Sequence, residues 1–358
     1  MDFPLFLEFS RRGEMTQRDA FDESFKLVSE CEELGVDSVW LAEYHFNIDR
    51  SVLSAPVTVA SAIAARTKRM RIGLAVQILP LGNPIRIAEE VATLDHISHG
   101  RVEFGIGRGT FPNVHEGYNV PFHESRGRFD EFLEVILNAW TNERFSFSGE
   151  HYSCKDVGIS PHPYQYPHPP ITIGITSVES FAISGNMGYT ILVNPSRVFT
   201  LSELAPAIKD YRDAWKQAGH EGQGKVGLRV PFYVAETSEK AYSEPRESTL
   251  NSMRRLGERV AGYADTQGTT GNWGAQGERI LEMEYDDWIR DKVIFGTPDG
   301  VVDKINGLIA ELGLDQIMYE INYGNLIPYD RQINSLKLIT QEAVSYTHLR
   351  AHETREDR

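Results

Sequence analysis

Cysteine is almost missing from this chain: 358 residues hold two, Cys31 and Cys154. That is too few for a disulfide framework and fits a reducing compartment, so both are expected to be small buried hydrophobes. Long apolar runs are missing as well. None approaches the ~18 residues of a membrane helix, and the start Met1-Asp2-Phe3-Pro4 has neither the basic nor the apolar region of a secretory signal. The expectation is a soluble, cytoplasmic protein. Positive charge is scarce: 36 Lys and Arg stand against 51 Asp and Glu, a net of -15. This argues against nucleic acid or an anionic membrane as partner. HExxH and CxxC spacings are absent, and His96 and His99 have no third ligand near them in sequence, so no metal site is expected. Without a GxSxG elbow, serine-hydrolase chemistry has no anchor.

What is present reads as an ordinary globular composition, 41% hydrophobic and 24% charged. Short apolar runs alternate with helical patterns. Expected strands fall at residues 3–9, 38–42, 70–76, 101–106, 171–175, 190–193, 227–234 and 315–321, each followed by a helix or helical region. Eight such repeats without a composition break fit one (β/α)8 barrel over residues 1–343 better than a doubly wound sheet. Two stretches stand apart. Residues 249–294 contain a possible helix, a Gly/Thr-rich run at 267–277 and an acidic patch, and are expected to form a mobile lid over the barrel mouth. Residues 344–358 show no core-forming period and are expected to be foreign to the fold.

In such a barrel the chemistry gathers at the C-terminal ends of the strands. Strand two ends in Glu43-Tyr44-His45-Phe46, strand three in Ala75-Val76-Gln77, strand four in Gly107-Arg108-Gly109, and strand five in Thr176-Ser177-Val178-Glu179-Ser180. His45 suits an acid, base or hydrogen-bond donor, with Glu43 and Tyr44 to orient it; a satisfied polar cluster closing the barrel is the competing reading. Since strand side chains alternate, Tyr44 and His45 are not both expected to face the site. The run from Gly105 to Gly109 has G-x-G-x-G spacing, and the following Phe111-Pro112-Asn113 is not expected to open a helix, which disfavours a Rossmann site. A tight turn, or close backbone approach by a flat ligand with Arg108 on its phosphate, both remain open. Ser177 to Ser180 reads as a helix N-terminus, either simply capped or binding an anion that Arg126 also reaches.

Taken together, Ser38-Val39-Trp40-Leu41-Ala42-Glu43-Tyr44-His45-Phe46, Ile72 to Pro80 with Asn83-Pro84, and Leu94 to Arg101 running into Gly105 to Gly109 resemble the bacterial luciferase-like flavin-dependent monooxygenases. The resemblance implies a barrel that takes up reduced FMN from a separate reductase and uses O2 to oxygenate a small organic substrate through a flavin C4a-hydroperoxide. It also implies a non-prolyl cis peptide at Ala75-Val76 and a homodimer. Catalytic roles would fall to Tyr44 and His45. Contacts to the cofactor would fall to Glu43, Ala75, Val76, Gly107, Arg108, Arg126, Ser177, Glu179 and Ser180.

Two positions depart from the luciferases. Tyr44 stands where the first of two adjacent histidines is found, and Gly107 replaces a reactive cysteine. A phenol still offers a hydrogen bond to the oxygenating flavin or to a substrate carbonyl. Hydride transfer with a deazaflavin, or flavin binding without catalysis, are the alternative functions.

Overall fold

A computed structural model of the chain describes residues 1–195, 200–264 and 272–343. Along it, β1 (Leu5–Leu7) leads to α1 (Gln17–Leu34) and β2 (Ser38–Leu41) to α2 (Pro56–Ala64). Then β3 (Arg71–Leu74) and its continuation β4 (Gln77–Ile78) lead to α3 (Pro84–Ser98), and β5 (Val102–Gly107) to α4 (Pro112–Gly117) and α5 (Ser125–Thr141). A hairpin, β6 (Phe145–Ser148) and β7 (Ser153–Val157), precedes β8 (Ile171–Ile175), α6 (Glu179–Met187), β9 (Thr190–Val193) and α7 (Leu204–Gln217). After β10 (Val226–Val234) come α8 (Ser238–Ser243), α9 (Arg246–Gly262), α10 (Trp273–Glu282), α11 (Tyr285–Asp291), β11 (Ile294–Gly296), α12 (Pro298–Leu312), β12 (Gln316–Glu320) and α13 (Tyr329–Leu338). Parallel pairing runs β1-β2-β3-β5-β8-β9-β10-β12 and returns to β1, so eight strands close the expected (β/α)8 barrel.

Alternation along the strands sorts side chains between the helix-facing core and the barrel interior. Leu5, Leu7, Val39 and Leu41 pack outward in the main core, while Phe6, Trp40, Leu192 and Met318 form a separate apolar layer inside the barrel. Trp40 sets the shape of that layer. A Cβ on Gly73 would lie 2.1 Å from its indole, and one on Gly105 would lie 1.7 Å from the Leu74 carbonyl oxygen, so these strands have room for the ring only as glycine. Two residues further along, the same inward parity brings up Glu8, Arg229 and Glu320. The layer at the C-terminal end of the interior is therefore charged, and it floors the site.

Three sequence expectations are corrected. Strand three does not run unbroken over 70–76: it stops at Leu74 and resumes at Gln77, across the cis peptide Ala75-Val76. Pro112 does open a helix, α4, because proline at the first helical position loses no hydrogen bond. Residues 249–294, expected as a lid over the barrel mouth, are largely helical. Three helices form there because Met253, Ile280, Trp288 and Val293 bury one another in a satellite core with Tyr323. Asn272 caps α10, whereas residues 267–271 of the Gly/Thr-rich run and the tail (344–358) lie outside the described residues. Cys31 is buried, but Cys154, in the unforeseen hairpin, is only half-buried. No helix among the described residues is long and apolar enough to cross a membrane.

Candidate active site

The C-terminal ends of the strands open into a cavity of about 260 Å³. Glu43, Tyr44, His45, Ala75, Val76, Gly107, Arg108, Arg126, Ser177 and Ser180 all line it, so segments far apart in sequence converge on one face of the barrel. Glu179 does not line it; it is the exposed first residue of α6. Tyr44 and His45 both face the cavity, contrary to the alternation argument, because β2 ends at Leu41 before reaching them.

One wall is built for an anion. Arg108 leaves the end of β5, Arg126 starts α5, and Ser177 and Ser180 flank the start of α6 with their hydroxyls 2.9 Å apart. Val178 precedes the helix without a side-chain cap, so the first N–H groups of α6 receive none from it. Arg108 is stabilised only weakly: a 3.4 Å contact to the Ser125 hydroxyl and the Phe122 ring. Burial, then the repulsion of Arg126, hold its pKa below the usual guanidinium value. Two half-buried cations that repel each other form an arrangement that a bound dianion relieves.

A flat platform lies beside this wall. The Ala75-Val76 peptide is cis and crosses the end of β5, where a Cβ on Gly107 would come within 2.4 Å of the Val76 side chain. Behind it, Glu43 is buried. One carboxylate oxygen accepts from the Gln77 amide and the Ile78 N–H, both at 2.8 Å, and the other lies 2.8 Å from His45 Nε2. Burial pushes the Glu43 pKa up, against the opposing pull of His45 and the Ile78 N–H. His45 Nδ1 faces the Tyr118 hydroxyl at 3.1 Å, and Tyr118 is 42% exposed. The tautomer that satisfies all three donates from Nε2 to Glu43 and accepts at Nδ1 from Tyr118, a chain of hydrogen bonds from solvent to a buried carboxylate.

The floor is a closed ionic network. Arg50 pairs with Glu8, with Nε at 2.9 Å from Oε2; Arg229 reaches Glu320 at 2.9 Å and Glu8 at 3.4 Å. Arg229 also lies 3.4 Å over the Phe6 ring. Burial raises the Glu8 carboxyl, but Arg50 and Arg229 outweigh it and bring the pKa below the ordinary value; for Glu320 burial wins and the pKa goes up. Tyr44 belongs to this network. Its hydroxyl donates to Glu8 at 3.0 Å, and burial pushes its pKa up to about 12. The ring, under the Arg50 guanidinium at 4.4 Å, remains part of the cavity wall.

The remaining wall comes from α9, whose Ser252, Leu256 and Arg259 face the cavity at helical spacing, and from Phe111, Trp273 and Tyr323. Sequence reasoning passed over Glu8, Arg50, Arg229, Glu320, Tyr118 and Arg259. Inward strand parity was a signal for Glu8, Arg229 and Glu320, and the Ser252-Leu256-Arg259 spacing was one for Arg259. Arg50 and Tyr118 sit on connections and give no periodic signal. Among the described residues no metal-holding group of His, Cys, Asp or Glu occurs.

The family model described as luciferase-like monooxygenase matches residues 1–316. Limonene 1,2-monooxygenase of Rhodococcus erythropolis is 27% identical over 354 residues, 97% of this chain and 86% of that protein. The oxygenase component of a flavin-dependent trigonelline monooxygenase from Acinetobacter baylyi is 27% identical over 254 residues, 70% of this chain and 69% of that protein. Among solved structures, the oxygenating constituent of 3,6-diketocamphane monooxygenase from Pseudomonas putida, in complex with FMN, superposes with a TM-score of 0.79 at 21% identity, covering 96% of this chain and 98% of that one.

Proposed function

The chain belongs to the luciferase-like monooxygenase family, and from that premise we propose that it is an FMN-dependent oxygenase component, served with reduced flavin by a separate reductase and oxygenating a small organic substrate. The observation that carries the reading is the Arg108 and Arg126 pair. Among the described residues neither guanidinium has a carboxylate within 4.0 Å, and both stand at the start of α6 beside the flat Ala75-Val76 and Gly107 surface. A dianionic phosphate fits the pair, and a flat ring fits the platform. An FMN complex of a protein with the same fold, and a relative named as an oxygenase component, support the same reading.

Reduced FMN, when bound, supplies the activation of O2 and delivery of one oxygen atom. The protein's own work is binding, orientation and control of water and protons. Arg108 and Arg126, with the Ser177 and Ser180 hydroxyls and the Glu179 N–H at the start of α6, would hold the phosphate. Ala75, Val76 and Gly107 would support the ring, and Glu43 would fix this support through Gln77 and the Ile78 N–H. His45 takes the polar role expected of the Tyr44-His45 pair, because its Nδ1 exchanges a proton with solvent through Tyr118. Phe111, Leu256 and Trp273, brought over the mouth by α4, α9 and α10, exclude bulk water.

Binding and isotope measurements test this. Titration of the purified chain with photoreduced FMN and with a reduced deazaflavin is expected to favour FMN by at least about tenfold, or ~1.4 kcal/mol. Mixing the reduced complex with 18O2 over a panel of aldehydes, ketones and terpenes is expected to place one labelled oxygen in a product. Preference for the deazaflavin with substrate-dependent oxidation of its reduced form would replace the reading by hydride transfer; tight FMN binding with no labelled product from any substrate would reduce it to flavin binding.

A further inference from the structure

Once the phosphate-side arginines and the ion-paired floor arginines are accounted for, one cationic group among the described residues of the cavity has no assigned task. Arg259 projects from α9 into the cavity, half-buried, with its guanidinium 3.7 Å over the Phe111 ring. Among the described residues its one hydrogen bond is to the Asn113 side-chain oxygen at 3.2 Å, and no carboxylate lies within 4.0 Å of it. A guanidinium carries five N–H donors, so most of its fork is unused. Its surroundings differ from those of the phosphate wall. Arg108 feels Arg126, Glu179 and Asp130, whereas Arg259 feels the repulsion of Arg50 and the phenols of Tyr44 and Tyr263. The two positive spots therefore do not share a charged neighbour.

The walls around Arg259 are aromatic and aliphatic. Trp273 stands edge-on to Phe111 with centroids 6.1 Å apart, and Leu256 lies one turn before Arg259 on the same face of α9. A cation stacked on an aromatic ring, with donors to spare beside Leu256 and Trp273, is matched by one complementary object: an apolar body ending in a monoanionic group flat enough to accept two parallel N–H bonds. A carboxylate has that geometry and that charge. A phosphate dianion would leave one charge uncompensated at a single guanidinium, whereas Arg108 and Arg126 supply two.

We infer that the substrate of this enzyme is a carboxylate-bearing organic molecule whose acid group is held by Arg259 and whose apolar body lies against Phe111, Leu256 and Trp273. The inference deepens the proposed oxygenase reading and rests on it for the identity of the cavity as flavin-and-substrate site. It also explains how a chain of net charge -15 accepts an anion: the cation that meets it is local and shielded by the helices of the 249–294 segment.

The test is a matched pair of probes, 4-isopropylbenzoate and 4-isopropylbenzamide, titrated into the full-length chain by calorimetry at saturating FMN and again without FMN. The acid is expected to bind at least about tenfold tighter than the amide in both conditions. Arg259→Gln is expected to bring the two probes to within about twofold of each other while the FMN affinity stays unchanged, and Arg259→Lys to restore part of the preference as a point charge. Arg108→Gln is expected to weaken FMN and leave the preference for the acid intact. Equal affinity of acid and amide in the unmodified chain overturns the inference, and so does a preference that survives Arg259→Gln. FMN binding without acid preference overturns the inference alone. Arg259-dependent acid preference in a chain that binds no FMN supports the anion subsite and overturns the oxygenase reading instead.

Discussion

Among the described residues five arginines line the cavity, and they divide into two kinds. Arg50 and Arg229 form the floor and are answered residue by residue by Glu8 and Glu320. Arg108, Arg126 and Arg259 form the walls and have no carboxylate within 4.0 Å among the described residues. The same side chain serves two purposes in one pocket, and the difference lies in who supplies the counter-charge. Where the fold supplies it, the arginine is architecture and its removal is felt as lost stability. Where it does not, the arginine waits for a ligand, and its removal is felt as lost affinity.

The floor gives the largest expected effect. Arg229→Ala leaves Glu320, 5% exposed, without its partner and weakens the hold on Glu8, so it is expected to cost about 3–5 kcal/mol of folding stability in urea denaturation. The next effect should appear in a different measurement. Arg108→Ala removes a repulsion with Arg126, so the unliganded chain is expected to keep its stability to within about 0.5 kcal/mol, while FMN affinity falls by roughly 30-fold, the worth of charge-assisted hydrogen bonds. Equal destabilisation by the two substitutions would break the division between floor and wall.

The division was partly legible in the sequence. Arg108, Arg126 and the start of α6 stood out because each follows a strand end or opens a helix, positions where chemistry is expected in a barrel. Arg229 and Glu320 lay inside segments correctly read as strands and Glu8 one residue past the end of β1, and the period of those strands also set which side chains point inward. They went unnoticed because a charged residue in a strand interrupts the apolar run by which the strand is found. Arg50 and Tyr118 were out of reach: their contacts to Glu8 and His45 span 42 and 73 residues of sequence and depend on how connections fold over the barrel mouth. Most of the helices of the 249–294 segment were out of reach for a related reason: they bury their apolar residues against one another and Tyr323, a tertiary event that leaves little periodic signal.

Acid titration separates the two kinds of buried carboxylate that go with the two kinds of arginine. Glu8, whose pKa is lowered by Arg50 and Arg229 against burial, adds stability that is present above its ordinary pKa of about 4.5 and is lost as pH falls through its folded value. Glu43, raised by burial with no arginine to offset it, behaves with the opposite sign: it favours the folded state below its ordinary value, and that contribution fades as pH rises through its folded pKa. Glu43→Gln keeps the shape and an acceptor for the Ile78 N–H. It is expected to lessen the fall in stability above pH 4.5, to which the raised Glu320 also contributes, and to leave the acid-side loss in place. The urea midpoint measured across about pH 3–7 reads both slopes, and an unchanged profile on the less acid side would contradict the account of Glu43.

The smallest expected effect lies where the wall meets solvent. Tyr118 is 42% exposed and gives His45 Nδ1 one hydrogen bond, so Tyr118→Phe is expected to cost no more than about 1 kcal/mol of stability and to leave FMN affinity unaltered. Its consequence should be kinetic. With the hydroxyl gone, His45 keeps its bond to Glu43 but loses its connection to water, and any step in which His45 passes a proton slows. The expected signature is a larger solvent deuterium isotope effect on turnover, with KM for the substrate little changed. His45→Gln retains a donor toward Glu43 but has no titrating group, so in that background Tyr118→Phe should no longer change the isotope effect. If the isotope effect responds to Tyr118→Phe even when His45 has been replaced by glutamine, the phenol acts on the ligand directly, and the wall must be extended to include it.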